Sequence, residues 1–96
     1  MMQTTTYLLN AFSIQMIDTP CNVSFTECTS LPDGLTSAIG HADTAAVLGV
    51  PCNRINVKLN RGETHYVAQL MGGRLPEGST TLPDGFTFKF IEVKIG

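Results

Sequence analysis

A single α+β domain, built on a mixed sheet of about five strands with short flanking helices, is the fold this sequence predicts. Three observations carry that expectation. Apolar and polar residues alternate in several separate stretches, the period of a half-buried strand. Only one short segment, Ala42–Leu48, reads as a capped helix. Finally, 96 residues of which 43% are apolar suffice for one core and no second domain.

The elements follow in order. Thr5–Leu9 is β-branched and aromatic and reads as the first strand. Asn10-Ala11-Phe12-Ser13 then interrupts an apolar stretch that resumes at Ile14-Gln15-Met16-Ile17, and Asp18-Thr19-Pro20 breaks the chain. Cys21–Thr26 alternates and reads as a second strand. Ser30-Leu31-Pro32-Asp33-Gly34 is a turn, because Pro presets one dihedral, Asp bonds nearby backbone and Gly takes positive φ. The same chemistry recurs at Thr81-Leu82-Pro83-Asp84-Gly85, and since nothing else around the two copies matches, these are two turns and not a repeat. Leu35–His41 leads into the helix, with Asp43 or Thr44 as its cap and Gly49-Val50-Pro51 as its stop. Ile55–Leu59 and Thr64–Met71 alternate on either side of Asn60-Arg61-Gly62-Glu63, which predicts a β-hairpin. Gly72–Gly78 is a loop, and Phe86–Ile95 is a last strand with Phe86, Phe88 and Phe90 on one face.

Composition excludes several classes. With 15% charged residues and a mean hydropathy of +0.13, the chain is not generally disordered. No run approaches the roughly 18 apolar residues of a membrane span, and the Met-Met-Gln-Thr-Thr-Thr start lacks the basic residues of a signal peptide. A cytoplasmic protein with no membrane partner is expected. Three cysteines (Cys21, Cys28, Cys52) are an odd number without a C-x-x-C pair, which argues against a secreted disulfide framework. His41 and His65 lie far apart with no close ligand pair, so neither metal nor another cofactor is expected. A domain this small is marginal alone, and self-association is the expected support. Residues 1–53 hold no Lys or Arg and stand at −4, whereas the remainder stands at +2. With a pI near 5.5, the chain is not expected to bind long nucleic acid, which needs many phosphate contacts. A few Arg residues can still grip a small phosphorylated ligand.

Candidate site residues stand where elements end. His41 follows Gly40 just before the helix, suited to a phosphate held by backbone N–H groups and to acid–base work, although a half-buried histidine is the plainer reading. His65, on a strand, reads more strongly still as a core histidine. Asn10 and Ser13 follow the first strand, where polar groups line sites or cap turns. No G-x-S-x-G surrounds Ser13, so a serine hydrolase is not pursued. Arg74, in a Gly-Gly loop with Glu77 three residues on, is the best phosphate clamp, beside the plainer reading of a solvated loop pair. Arg54 serves either a ligand or an internal salt bridge.

Taken in order, Tyr7–Ile14, Ala38-Ile39-Gly40-His41 with Asp43-Thr44, Asn53–Leu59, and Tyr66-Val67-Ala68-Gln69 leading to Arg74-Leu75-Pro76-Glu77-Gly78 resemble the small viral ring nucleases. These act as type III anti-CRISPR proteins and have host-encoded relatives. The resemblance implies a homodimer that degrades cyclic tetra-adenylate bound between its subunits, switching off the nucleases this messenger activates. It implies His41 as general acid, Arg74 on the scissile phosphate and Glu77 as a site carboxylate. Asn10, Ser13, Asp43, Thr44, Arg54 and Gln69 then fall at ligand-contacting or supporting positions. Three stretches depart from the family pattern. Ala42-Asp43-Thr44 stands where Asp-Ser-Thr is common, one extra residue separates Gln69 from Arg74, and Ser79–Gly85 is shortened by a helix. A binder that sequesters a cyclic oligonucleotide without cutting it is the alternative, and a ligand-free structural dimer a third.

Overall fold

The computed structural model describes residues 5–18 and 21–96. The expected chain break at Asp18-Thr19-Pro20 therefore falls partly outside the described residues. Five strands form one mixed sheet: β1 (Tyr7–Leu9), β2 (Val23–Cys28), β3 (Thr36–Ser37), β4 (Thr64–Met71) and β5 (Thr87–Ile95). Their spatial order is β2-β5-β4-β1-β3. A 3-10 turn at Ile14–Met16 follows β1, and the helix α1 (Ala42–Leu48) joins β3 to β4. The expected class, an α+β domain with a mixed five-stranded sheet, is the one found, with a single short helix.

The three-residue strand β1 lies inside the sheet between β4 and β3, and its side chains are apolar on both faces. Strand residues alternate in direction, so Leu8 and Leu9 point oppositely, and each is only 2% exposed. Leu9 anchors a core with Val57, Leu59, Val67, Val93 and Ile95, while Leu8 packs with Ile39, Ala45 and Ala68 beneath α1. β1 runs parallel to β3 on one side (Tyr7↔Thr36) and to β4 on the other (Leu9↔Val67). β4 pairs antiparallel with β5 from Thr64↔Lys94 to Met71↔Thr87, and β5 pairs with β2 from Val23↔Ile95 to Cys28↔Phe90.

The expected hairpin is corrected. Ile55–Leu59 is not a strand, because β1 and β5 already occupy both edges of β4. It lies extended, dropping Val57 and Leu59 into the core, while the Leu59 N–H donates to the Met16 carbonyl at 2.8 Å. Its alternation reports a half-buried segment whose backbone is held by a turn instead of a sheet. The true partner of β4 is β5, reached through the loop at 72–86. Conversely, β3 was not anticipated, since two residues are too few to show a period. β2 begins and ends two residues later than the alternation at Cys21–Thr26 suggests.

The helix start is corrected as well. His41 is its N-cap and makes no side-chain capping bond, and Asp43 sits inside the first turn. Gly49 closes the helix as expected. Both Pro-Asp-Gly segments turn as their chemistry requires, the second closed by the Phe86 N–H on the Pro83 carbonyl at 3.1 Å. The three cysteines are free. Among the described residues no helix is long and apolar enough to cross a membrane.

His65 is the core histidine its position suggests. It is fully buried, its Nδ1 accepts the Tyr7 N–H at 3.0 Å, and its Nε2 lies 3.0 Å from Glu63 Oε1. Accepting at Nδ1 leaves the proton on Nε2, facing the carboxylate. Burial works to raise the Glu63 pKa, but hydrogen bonds from His65 and Asn60 outweigh it and hold the carboxyl below its ordinary 4.5. A group depressed in the folded state contributes stability above its unfolded value and loses it as pH falls through the folded one. Urea midpoints measured from about pH 6 down to about pH 3 are therefore expected to fall at the acid end, with Glu63→Gln flattening that fall.

Gly72 ends β4 at a φ of +114°, where an added Cβ would stand 2.7 Å from the Gly85 carbonyl oxygen. Gly72→Ala is expected to cost about 1–3 kcal/mol in urea unfolding from backbone strain alone. An unchanged midpoint would refute this close approach.

Candidate functional site

Three parallel strands, β1, β3 and β4, finish at the same edge of the sheet, and the residues that follow them converge there. Asn10 follows β1, Gly40 and His41 follow β3, and Arg74 follows β4. Open sheets gather ligands outside the carboxyl ends of parallel strands, where the order of connections reverses. Here β1 lies between β3 and β4, and α1 crosses over it to join them.

On the helix side, His41, Asp43, Thr44 and Arg74 line one hollow of about 350 Å³ whose apolar walls are Leu70 and Leu75. His41 reaches it as the residue entering α1, and its imidazole is exposed. Buried Leu75 anchors the loop, so that exposed Arg74, between it and Gly73, is carried to the mouth of the hollow. Asp43 ties the two sides together, because its Oδ1 accepts the Gly78 N–H at 3.1 Å. The turn beyond is closed by Ser79, whose hydroxyl and N–H both donate to the Pro76 carbonyl. Asp43 thus binds protein backbone where the family pattern places a small hydroxyl. Glu77 does not line this hollow and is exposed in the turn leading to Gly78.

Arg54 forms no salt bridge among the described residues. Its Nε donates to the Gly40 carbonyl at 2.7 Å, and a Cβ on Gly40 would stand 3.0 Å from Arg54 Cγ. The methylene stem of Arg54 lies over a glycine that leaves room for it, and its Nε fixes the peptide before His41. Arg54 lines a second hollow with Asn10, Gly40 and Asn56. Ser13 is the cap of the 3-10 turn, its Oγ accepting from the Gln15 N–H, and lines a further hollow with Lys58. Gln69 shares a fourth hollow with Asn10, walled by Phe12, Phe25, Val67 and Ile91.

The structure therefore brings His41, Asp43, Thr44 and Arg74 together. It places Asn10, Arg54, Gln69 and Ser13 along adjoining hollows on the opposite face, with Asn10 shared by two of them. Phe12 and Phe25 were not anticipated. Phe25 is 56% exposed, and alternation alone gives no sign of which strand aromatic stays uncovered.

Asp43→Ala is expected to speed amide exchange at Gly78 while lowering stability by only about 0.5–1.5 kcal/mol, the net worth of one hydrogen bond. Exchange-resolved NMR reads this directly, and unchanged Gly78 exchange would count against the tie.

Residues 6–87 match the family described as STIV B116-like. B116 of Sulfolobus turreted icosahedral virus has a similar structure, with a TM-score of 0.72 over 95% of this chain and 99% of that one at 24% identity. At that identity the likeness is one of fold. No curated protein matches the sequence.

Proposed function

This chain belongs to the STIV B116-like family, and from that premise we propose that it is a ring nuclease acting on cyclic tetra-adenylate, the second messenger of type III CRISPR systems. The observation that carries the reading is the convergence of His41, Thr44 and Arg74 on one hollow at the carboxyl edge of the parallel strands. The resemblance of Ala38–His41, Asn53–Leu59 and Arg74–Gly78 to viral ring nucleases supports it.

An RNA ring carries its own nucleophile. The 2′-oxygen bonds to the adjacent phosphorus, the bond to the 5′-oxygen breaks, and a 2′,3′-cyclic phosphate remains on a linear oligoadenylate. The protein's task is to hold attacking and leaving oxygens in line. Arg74 places its fork of N–H groups against the charge that builds on the phosphate oxygens. His41 donates a proton to the departing 5′-oxygen, and the 2′-hydroxyl proton leaves to solvent. Thr44 offers a hydroxyl to the same phosphate, and Arg54 holds the peptide that aims His41. Attack by the ring's own hydroxyl requires no metal, so the reaction is expected to proceed in chelator.

A homodimer fits the ligand, because a two-fold axis presents two copies of each group to a ring with repeated units. Ile14 at 70% exposure and Ile55 at 41% are the kind of apolar surface a second copy covers. The cytoplasm, where the messenger is made, is the matching location. One observation favours the alternative of a non-cleaving binder: Glu77 stands outside the hollow that holds His41. A binder would keep its dependence on the arginines and lose nothing with His41.

Labelled cyclic tetra-adenylate in EDTA separates the two. Wild type is expected to yield linear products. His41→Ala is expected to slow cleavage about 10²–10⁴-fold while still binding the ring, and Arg74→Ala to slow it about 10²–10³-fold. Binding without cleavage by the wild type would leave a sequestering protein. Neither binding nor cleavage would remove the proposal altogether.

A further inference from the structure

We infer that Asn53 is a positioning residue for His41, holding the outer edge of β3 in place of a further strand and so fixing the peptide that carries the imidazole. This deepens the ring-nuclease reading and rests on it. It gives a half-buried amide, which lines none of the hollows described above, a share in placing the proton.

β3 ends the sheet, with β1 on one side only. The Thr36 and Ala38 N–H groups donate to the Thr6 and Leu8 carbonyls at 2.9 Å, so the backbone groups of Ser37 and Ile39 face outward. Left bare, such an edge is a template for another chain. Residues 51–53 run beside it in the same direction, and the Asn53 N–H donates to the Ile39 carbonyl at 2.8 Å. Two residues earlier, a parallel ladder calls for a second N–H against the Ser37 carbonyl, but that residue is Pro51, which has none. Asn53 supplies the missing bond from its side chain, Nδ2 donating to the Ser37 carbonyl at 3.0 Å. Ser37 completes the repair, its buried hydroxyl accepting the Ile39 N–H at 3.3 Å and donating to the Pro51 carbonyl at 2.6 Å.

The consequence falls on His41. Ile39 is fully buried in the core beneath α1, and both its backbone groups are bonded through this strap. Arg54 then takes the Gly40 carbonyl at 2.7 Å, and the His41 carbonyl accepts the Ala45 N–H at 3.0 Å as α1 begins. The backbone that carries the imidazole is therefore held on both sides, and on the β3 side the grip begins at Asn53. A neutral amide suits the place, because it reaches a half-buried carbonyl without taking a charge out of water. Misplacing a reacting group by about 1 Å can slow a reaction about 10²-fold.

A cyclic tetra-adenylate ring with sulfur at its bridging 5′-positions tests this, because a thiolate departs without a general acid, thiols ionising near pH ~8.5. Asn53→Ala is expected to cut the ordinary ring roughly 10²-fold more slowly than wild type, with KM within about threefold. It is expected to cut the sulfur ring about as fast as wild type does, as His41→Ala should. Asn53→Asp keeps the shape, loses the donor and is expected to behave in the same way. Equal slowing on both rings, a change confined to KM, or a wild-type rate on the ordinary ring overturns the assignment while leaving the nuclease reading in place. Loss of the folded far-UV spectrum in both variants also overturns it, making Asn53 a residue of the fold alone. If wild type cuts neither ring, the nuclease reading falls and takes this assignment with it.

Discussion

The double burial of β1 is the constraint on which the rest of the structure depends. Three residues give the chain an apolar side chain on each face and a hydrogen-bonding partner on each edge. Because β3 and β4 both run parallel to it, their ends fall on one side of the sheet, and so do the polar residues beyond them. The amino end is secured by His65, which takes the Tyr7 N–H on a ring held in place by Glu63. A site residue at the carboxyl edge is thus only as well placed as the register of a very short strand.

The sequence was most legible where local chemistry decides structure. The two Pro-Asp-Gly turns and the glycine that stops α1 follow from side-chain properties that act within a few residues. Ile55–Leu59 misled because alternation records which side chains are buried and not what the backbone bonds to. Its pattern is real, with Val57 and Leu59 in the core, but no strand edge was left for it. β3 was invisible for the opposite reason, being set by its neighbour and not by its own two residues.

The candidate site was legible as a set of residues but not as a shape. His41, Asp43, Thr44 and Arg74 share a hollow, while Asn10, Arg54, Gln69 and Ser13 lie along the other face. Which face a residue meets depends on register, which no short motif contains. Arg54 illustrates the difference, since a charge that reads as a salt-bridge partner or a ligand clamp also bonds the carbonyl before His41, a contact no motif shows. Asp43 likewise makes a backbone contact that joins helix and loop while still lining the hollow.

The pairing of β2 with β5 has a kinetic side. Val23 meets Ile95, so this strand waits for residues far along the chain before its hydrogen bonds can close. Contacts so distant along the chain carry their loop-closure entropy before any bonding offsets it, and they slow folding. Until then β2 remains an unpaired ribbon bearing Phe25, the form in which strands find wrong partners. For a chain emerging from a ribosome, the helix and the parallel strands can be in place while the β2–β5 pairing is still open.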